Sequence, residues 1–251
     1  MKKILCLVGA IAFTFASCSK DDNDSSNNSS AILVKKITEF ENGSPKTRTI
    51  QYDGNKIVSI TEEHGSQTKF TYTGNQITKI EEFDENGLSN GASEYGYTNG
   101  LMTSYVEKYD DTYNHKTKYV HNNDGTVSFE QFKVNTLTGV EEKYGQSGKL
   151  TFKNGNLIKA ERSYNGFDSV DTYEYDAKNS PFKNVTGFNL LLDDDQSVNN
   201  VLTETQTSGD NLNTSVITYK YTYDANGYPT EKITTFPNGN SVITETVKYD
   251  Y

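Results

Sequence analysis

Tryptophan is absent from the 251 residues, histidine occurs three times and cysteine twice. Both cysteines, Cys6 and Cys18, fall near the N-terminus, so the rest of the chain builds no disulfide, thiolate nucleophile or cysteine metal site. No Gly-x-Ser-x-Gly elbow, phosphate-binding loop or dinucleotide fingerprint is present. The apolar run Ile4–Phe15 is a dozen residues long, short of the roughly 20 that a membrane-spanning helix needs. Basic residues are in the minority, 24 against 34 acidic. Removing Lys2 and Lys3 leaves 22 and a net charge of −12, which repels phosphate backbones and excludes nucleic acid as the expected partner. The lack of tryptophan also weakens the case for sugar stacking.

What is present begins with an address. Met1-Lys2-Lys3 ahead of the apolar run reads as a signal peptide over residues 1–17. Phe15-Ala16-Ser17-Cys18 resembles a bacterial lipobox, although Leu is usual where Phe15 stands. An ordinary secretory signal with a chance cysteine is the alternative. From Cys18 to Ser30 no side chain is apolar, so residues 18–31 are expected to form a disordered tether with a reach of about 20 Å. Ser19, Lys20, Asp21 and Asp22 resemble the acidic surface-export signal of Bacteroidetes lipoproteins; a plain spacer is the alternative. Lipidation at Cys18 implies a membrane partner through the anchor. At about 0.8 kcal/mol per buried CH₂, the chains of a lipidated cysteine hold durably. The expected location is the outer membrane, at the cell surface or alternatively on the periplasmic face.

From residue 32 on, the sequence alternates β-rich runs with turn dipeptides. Asp53-Gly54, Asn86-Gly87, Asn99-Gly100, Asp124-Gly125, Asn154-Gly155, Asn165-Gly166, Asn226-Gly227 and Asn238-Gly239 separate runs rich in Tyr, Thr, Ile, Val and Phe. Asn-Gly and Asp-Gly favour type I′ hairpins because their twist matches the strands. Phe70 and Tyr72 share one face, as do Tyr219, Tyr221 and Tyr223, and Val247, Tyr249 and Tyr251, with polar residues opposite. That period of two is the signature of an antiparallel sheet with one wet side. The spacing of Tyr52, Tyr72 and Tyr97 makes each repeat one hairpin, and the runs amount to about sixteen strands.

Tyr223–Gly239, "YDANGYPTEKITTFPNG", resembles the YD repeat of RHS-type proteins. Residues 32–251 as a whole resemble a family of uncharacterised Bacteroidetes lipoproteins with degenerate repeats of this kind and an insertion like "YDAKNSPFKNVTGFNLLLDDDQSVNNV". That resemblance implies a porin-like β fold and brings no catalytic residues. A membrane-spanning barrel is not expected: in "QITKIEEF" each face carries a charge, and a charge at the bilayer midplane costs about 2–4 kcal/mol. The fold class expected is all-β, an antiparallel meander of about sixteen strands curled into a water-soluble barrel, its last strand pairing with residues near 33–40. An open, strongly bent sheet is the alternative. Leu, Ile, Val and Phe make up only about a fifth of the chain, and eighteen tyrosines supply the missing core area.

Few residues suggest chemistry. His115 and His121 lie six apart, so a metal pair is conceivable, though solvated histidines fit equally. Asp193, Asp194 and Asp195 form a dense acid run in the segment where the repeats stop, a calcium candidate or a solvated loop. Glu62-Glu63, Glu81-Glu82 and Glu141-Glu142 recur at equivalent strand ends, as a scaffold does and as one active site does not. No catalytic residue and no cofactor are assigned. Tyr219, Tyr221 and Tyr223 are the ligand-binding candidates, against core packing as the plain alternative. The resulting expectation is a non-enzymatic binding module, monomeric, for a glycan, peptide or envelope protein. A barrel this wide needs water or a ligand inside it, with the 177–200 insertion as a lid. A docking lipoprotein with an apolar patch at Phe182, Phe188 and Leu190–Leu192 is the first alternative. A glycan hydrolase with two inward carboxylates is the second.

Overall fold

Hairpin turns set the architecture, and those with asparagine or aspartate ahead of glycine include two kinds. At Asn99-Gly100, Asn154-Gly155 and Asn165-Gly166 both residues have positive φ, with the asparagines at 52, 53 and 51°, as a type I′ turn requires. At Asn86-Gly87, Asp124-Gly125 and Asn226-Gly227 only the glycine is left-handed. There the turn begins earlier, closed by Gly87 N to Asp84 O (3.0 Å), Gly125 N to Asn122 O (3.1 Å) and Gly227 N to Asp224 O (3.1 Å). This is a type I turn followed by a glycine bulge, which the dipeptides alone do not distinguish.

The computed structural model describes residues 31–41, 44–108, 110–192, 196–209, 213–239 and 241–251. The expectations at 1–17, Cys18, Ser19, Lys20, Asp21 and Asp22, and at Asp193, Asp194 and Asp195, lie outside the described residues. The first eight strands are β1 Lys36–Glu41, β2 Ser44–Asp53, β3 Lys56–Glu62, β4 Gln67–Thr73, β5 Gln76–Phe83, β6 Ser89–Thr98, β7 Leu101–Lys108 and β8 Tyr113–His121. They continue as β9 Thr126–Asn135, β10 Glu141–Lys153, β11 Asn156–Tyr164, β12 Phe167–Tyr175, β13 Val201–Ser208, β14 Asn213–Tyr223, β15 Pro229–Asn238 and β16 Ser241–Asp250. Every strand pairs antiparallel with its sequence neighbours, and β1 closes on β16 with Ile37 opposite Tyr249. The sixteen-stranded closed meander is therefore the fold, and the open-sheet alternative falls away. Among the described residues the helical content is the 3₁₀ turn Phe188–Leu190 and Gln196.

The segment 176–200, between β12 and β13, identifies the inner face. Its Val185 packs with Ile37, Ile50, Ile57 and Tyr249. Leu191 packs with Ile77 and Met102, and Leu192 against the cluster of Val127, Leu150, Leu157, Ala160 and Tyr173. A short segment reaches all sides of a ring of strands only from within it. The same segment bonds the hairpin turns at one rim: Thr186 N to Asn55 O (2.9 Å), Asn179 N to Gly227 O (3.0 Å) and Val198 N to Gly155 O (3.4 Å). It is a plug inside one end of the barrel rather than a lid. A lumen too wide for side chains alone was expected to hold water or a ligand; at this end a segment of the chain itself occupies it.

The repeated tyrosine has a backbone task at that end. The β5–β6 ladder stops at Lys79 opposite Glu94, just past a bulge, so the backbone of Ile77 lacks a strand partner on that side. Tyr97 supplies one, donating its hydroxyl to Ile77 O at 2.8 Å. Tyr52 does the same for Val34 O (2.7 Å), Tyr175 for Leu157 O (2.6 Å) and Tyr251 for Pro229 O (3.0 Å). The Tyr72 hydroxyl instead accepts from Ile57 N at 3.2 Å. Where the ladder runs full length, as in β9–β10 to Thr126 opposite Thr151, the equivalent position is Phe152, which has no hydroxyl. Buried backbone groups need partners, and the repeat places one on each hairpin that needs it.

Candidate functional site

Two halves of the lumen differ in chemistry. Around the plug the inward residues are aliphatic and aromatic. Toward the opposite rim the inward positions of the same strands are Glu62, Glu82, Glu107, Lys133, Arg162 and Asp171. Period-two alternation keeps both kinds on one face: on β3, β5, β7 and β11 the inward side starts apolar at the plug and turns charged within about ten residues, roughly 33 Å of strand. Among the described residues the plug fills one end of the lumen, and charged and polar side chains line the other.

At the floor of the lumen lies a cavity of about 220 Å³ between the plug and the wall formed by β1–β3 and β14–β16. Ile37, Ile60, Phe182, Val247 and the ring of Tyr221 give it apolar surfaces, and Glu39, Arg48, Lys232 and Ser180 give it polar ones. Arg48 Nη2 donates to Glu39 Oε1, so that pair is internally satisfied. Ser197, Asn199 and Asn200 also line it but are engaged elsewhere. Ser197 Oγ donates to the Tyr175 hydroxyl (3.0 Å), Asn199 Nδ2 to Lys178 O (2.6 Å) and Asn200 Nδ2 to Asp176 Oδ2 (3.1 Å).

The three tyrosines singled out in the sequence are brought onto one inward stripe of β14, yet they do different things. The Tyr223 hydroxyl donates to Asp176 Oδ2, the carboxylate that also accepts from Asn200 at the neck of the plug. Tyr223 is thereby a structural clasp, with burial first and the Asp176 carboxylate second raising its pKa. Tyr219 donates to Glu204 Oε2 at 2.9 Å. Tyr221 alone faces the floor cavity, and burial pushes its phenol well above the ordinary value. Its ring stacks on Tyr223 with centroids 5.9 Å apart.

The remaining candidates separate. His115 stacks on Tyr144 (centroids 5.4 Å), while His121 Nε2 lies 2.8 Å from Met102 O, so each belongs to a different end of β8 and they do not converge. Among the described residues no cluster of three metal-type ligands occurs. Glu141 lies on the outer face, bonded by Lys116 (2.8 Å) and Lys118, whose hydrogen bonds hold its pKa down. Phe182, Phe188, Leu191 and Leu192 pack into the three core clusters, which is not the exposed patch of the docking alternative. Lys232 was missed by sequence reading. No apolar pattern marks it, since it shares its face of β15 with Thr234, and its place opposite Tyr221 is set by strand register.

No protein-family model matches the chain, and no curated protein matches it. Solved structures do. The crystal structure of a porin-like protein from Bacteroides vulgatus aligns with a TM-score of 0.60 at 17% identity, over 88% of this chain and 99% of that one. That of a porin-like protein from Bacteroides uniformis gives 0.54 at 13% identity, over 86% and 95%. At such identities the likeness is one of fold, and this chain has the barrel of those Bacteroides structures.

Proposed function

We propose that the chain is a lipid-anchored binding cup of the bacterial cell envelope, non-enzymatic, with its ligand taken at the lumen floor. The observation that carries the reading is the asymmetry of the lumen: one end is plugged by residues 176–200, and the other leads through polar walls to the floor cavity. A channel needs two open ends, and a pure scaffold has no use for a polar vestibule. The envelope address is supported by the Cys18 motif and by the fold shared with the Bacteroides structures. A non-enzymatic role is supported by the carboxylates nearest the floor, where Glu39 is paired with Arg48 and Glu204 accepts from Tyr219.

The outer wall supports a barrel that stands in water. Outward positions include Lys79 and Glu81 on β5, Lys116 and Lys118 on β8, and Thr203, Thr205 and Thr207 on β13. The anchor, rather than the barrel, would hold it to the membrane. The test is fractionation of cells making the Cys18→Ser variant beside the parent, with protease added to intact cells. The expected result is parent in the membrane fraction and cleaved from outside, and variant released in soluble form. A variant that stays with the membrane would remove the anchor from this reading, and a protected parent would move the cup to the periplasmic face.

One observation favours docking as a second activity. Leu137 and Phe167, 92% and 77% exposed, occupy neighbouring turns at the open rim. Large apolar side chains so placed suit contact with another envelope protein.

A further inference from the structure

Three charged side chains line the floor cavity, and their states differ. Glu39 and Arg48 are paired with each other. Lys232 has no ion-pair partner among the described residues; its nearest aromatic neighbour, the Tyr219 ring, has its centroid 6.0 Å from Nζ. A cation–π contact at that range is marginal. Directly opposite Lys232 across the β14–β15 ladder stands Tyr221, facing the same cavity. Its hydroxyl has no hydrogen-bond partner among the described residues either, in contrast to Tyr52, Tyr97, Tyr175, Tyr219, Tyr223 and Tyr251. Burial raises its pKa, so it stays protonated and able to donate. Two unused donors, one of them cationic, thus stand side by side on neighbouring strands. The lining carries one excess positive charge within a chain of net −10.

We propose that the floor cavity recognises a small organic monocarboxylate, its anion held between Lys232 Nζ and the Tyr221 hydroxyl and its apolar body against Ile37, Ile60 and Phe182. This rests on the reading of the lumen as a binding cup and gives that cup a ligand class. A neutral sugar leaves the ammonium unused, and half-buried cations without a counter-charge are costly. A polyanion meets Glu62, Glu82 and Glu107 on the way in. The cavity of about 220 Å³ has room for roughly seven waters, below the usual size of drug-sized pockets, which selects compact acids.

The test is calorimetric titration of the full chain with phenylacetate and with its neutral amide. A charge-assisted hydrogen bond is worth about tenfold or more in affinity. The acid is therefore expected to bind at least about tenfold tighter than the amide, and Lys232→Met to remove that preference. Tyr221→Phe should weaken the acid by about threefold to tenfold through the lost hydroxyl. Lys220→Met, which deletes a charge from the outward face of the same strand, should change nothing. Unaltered thermal melts show that the variants are folded. Equal affinity for acid and amide, no binding of either, or full binding by Lys232→Met would overturn the proposal. Lys232→Cys separates the two levels of failure when treated with a small neutral thiol reagent. Labelling at residue 232 without acid preference leaves the cup and removes its ligand class, whereas a shielded cysteine removes both.

Discussion

Tyr97 shows what a single residue contributes to this fold. Its ring packs beside the cluster of Ile77, Met102 and Leu191, and its hydroxyl takes the carbonyl that the shortened ladder leaves over. Tyr97→Phe keeps the ring and orphans a buried carbonyl, so a loss of about 1–3 kcal/mol is expected in urea unfolding. At Phe152 the ladder is complete, and Phe152→Tyr should give no corresponding gain. The tyrosines also set a pH limit. Burial first, and Tyr72 second, push Tyr97 up to about 12, and burial likewise raises Tyr52, Tyr221 and Tyr251. A folded pKa above the unfolded value of about 10 means that the native state holds its proton longer. That stability is complete below about pH 10 and is lost as the pH climbs toward the folded values. Melting temperature should therefore hold steady from about pH 8 to 9 and fall steeply above 10, with tyrosinate absorbance rising together with unfolding. A gradual, ordinary phenol titration in the folded protein would contradict this. Much of the stripe was legible, since alternation placed Tyr219, Tyr221 and Tyr223 on one face. Their separate tasks were not, because Glu204 is brought to Tyr219 by the register of β13 on β14, and Asp176 to Tyr223 by the course of the 176–200 segment.

At the scale of the element, the plug is where sequence and structure part company. The break in the repeat was legible between Tyr175 and Val201, and so was its apolar content at Leu190–Leu192. Its place inside the lumen was not. A segment this rich in Asn and Asp carries no period that says which side of a sheet it meets, and a lid or covering loop reads the same way. What fixes it are contacts with turns of distant hairpins. The tightest is at Gly187, with φ +79°, where a Cβ would stand 2.6 Å from Asn75 O and 3.3 Å from Ile77 N. Gly187→Ala combines left-handed strain with a backbone clash, and it is expected to cost about 2–4 kcal/mol. Gly209, with φ +65°, has nothing within 4 Å of the same virtual atom. Gly209→Ala isolates the strain at about 1 kcal/mol. In a domain of this size each kcal/mol moves the melting temperature by roughly 2–4 °C. The two variants should differ by at least about 2 °C, and equal shifts would mean that the plug does not lean on the β4–β5 turn.

For the whole molecule, the question is whether a sixteen-stranded barrel of this kind conducts. Barrels with that many strands leave an aqueous pore when the wall is apolar outside and the lumen is clear. Two features of this chain argue against conduction. The plug seals one end through three backbone hydrogen bonds to hairpin turns and through apolar packing around the circumference. The outer wall places ion pairs such as Lys118 with Glu141 and Lys149 with Glu161 along the strands, where a lipid-facing band would have to lie. Each such charge at a bilayer midplane costs about 2–4 kcal/mol. Added to planar bilayers, the full chain is expected to give no stepwise conductance, and deleting residues 178–198 should not create any, because the wall remains unsuited to lipid. Stepwise currents from the parent would overturn both the plug and the polar wall. Currents from the deletion alone would spare the plug and show that the wall tolerates hydrocarbon, which would make the barrel a gated pore rather than a cup.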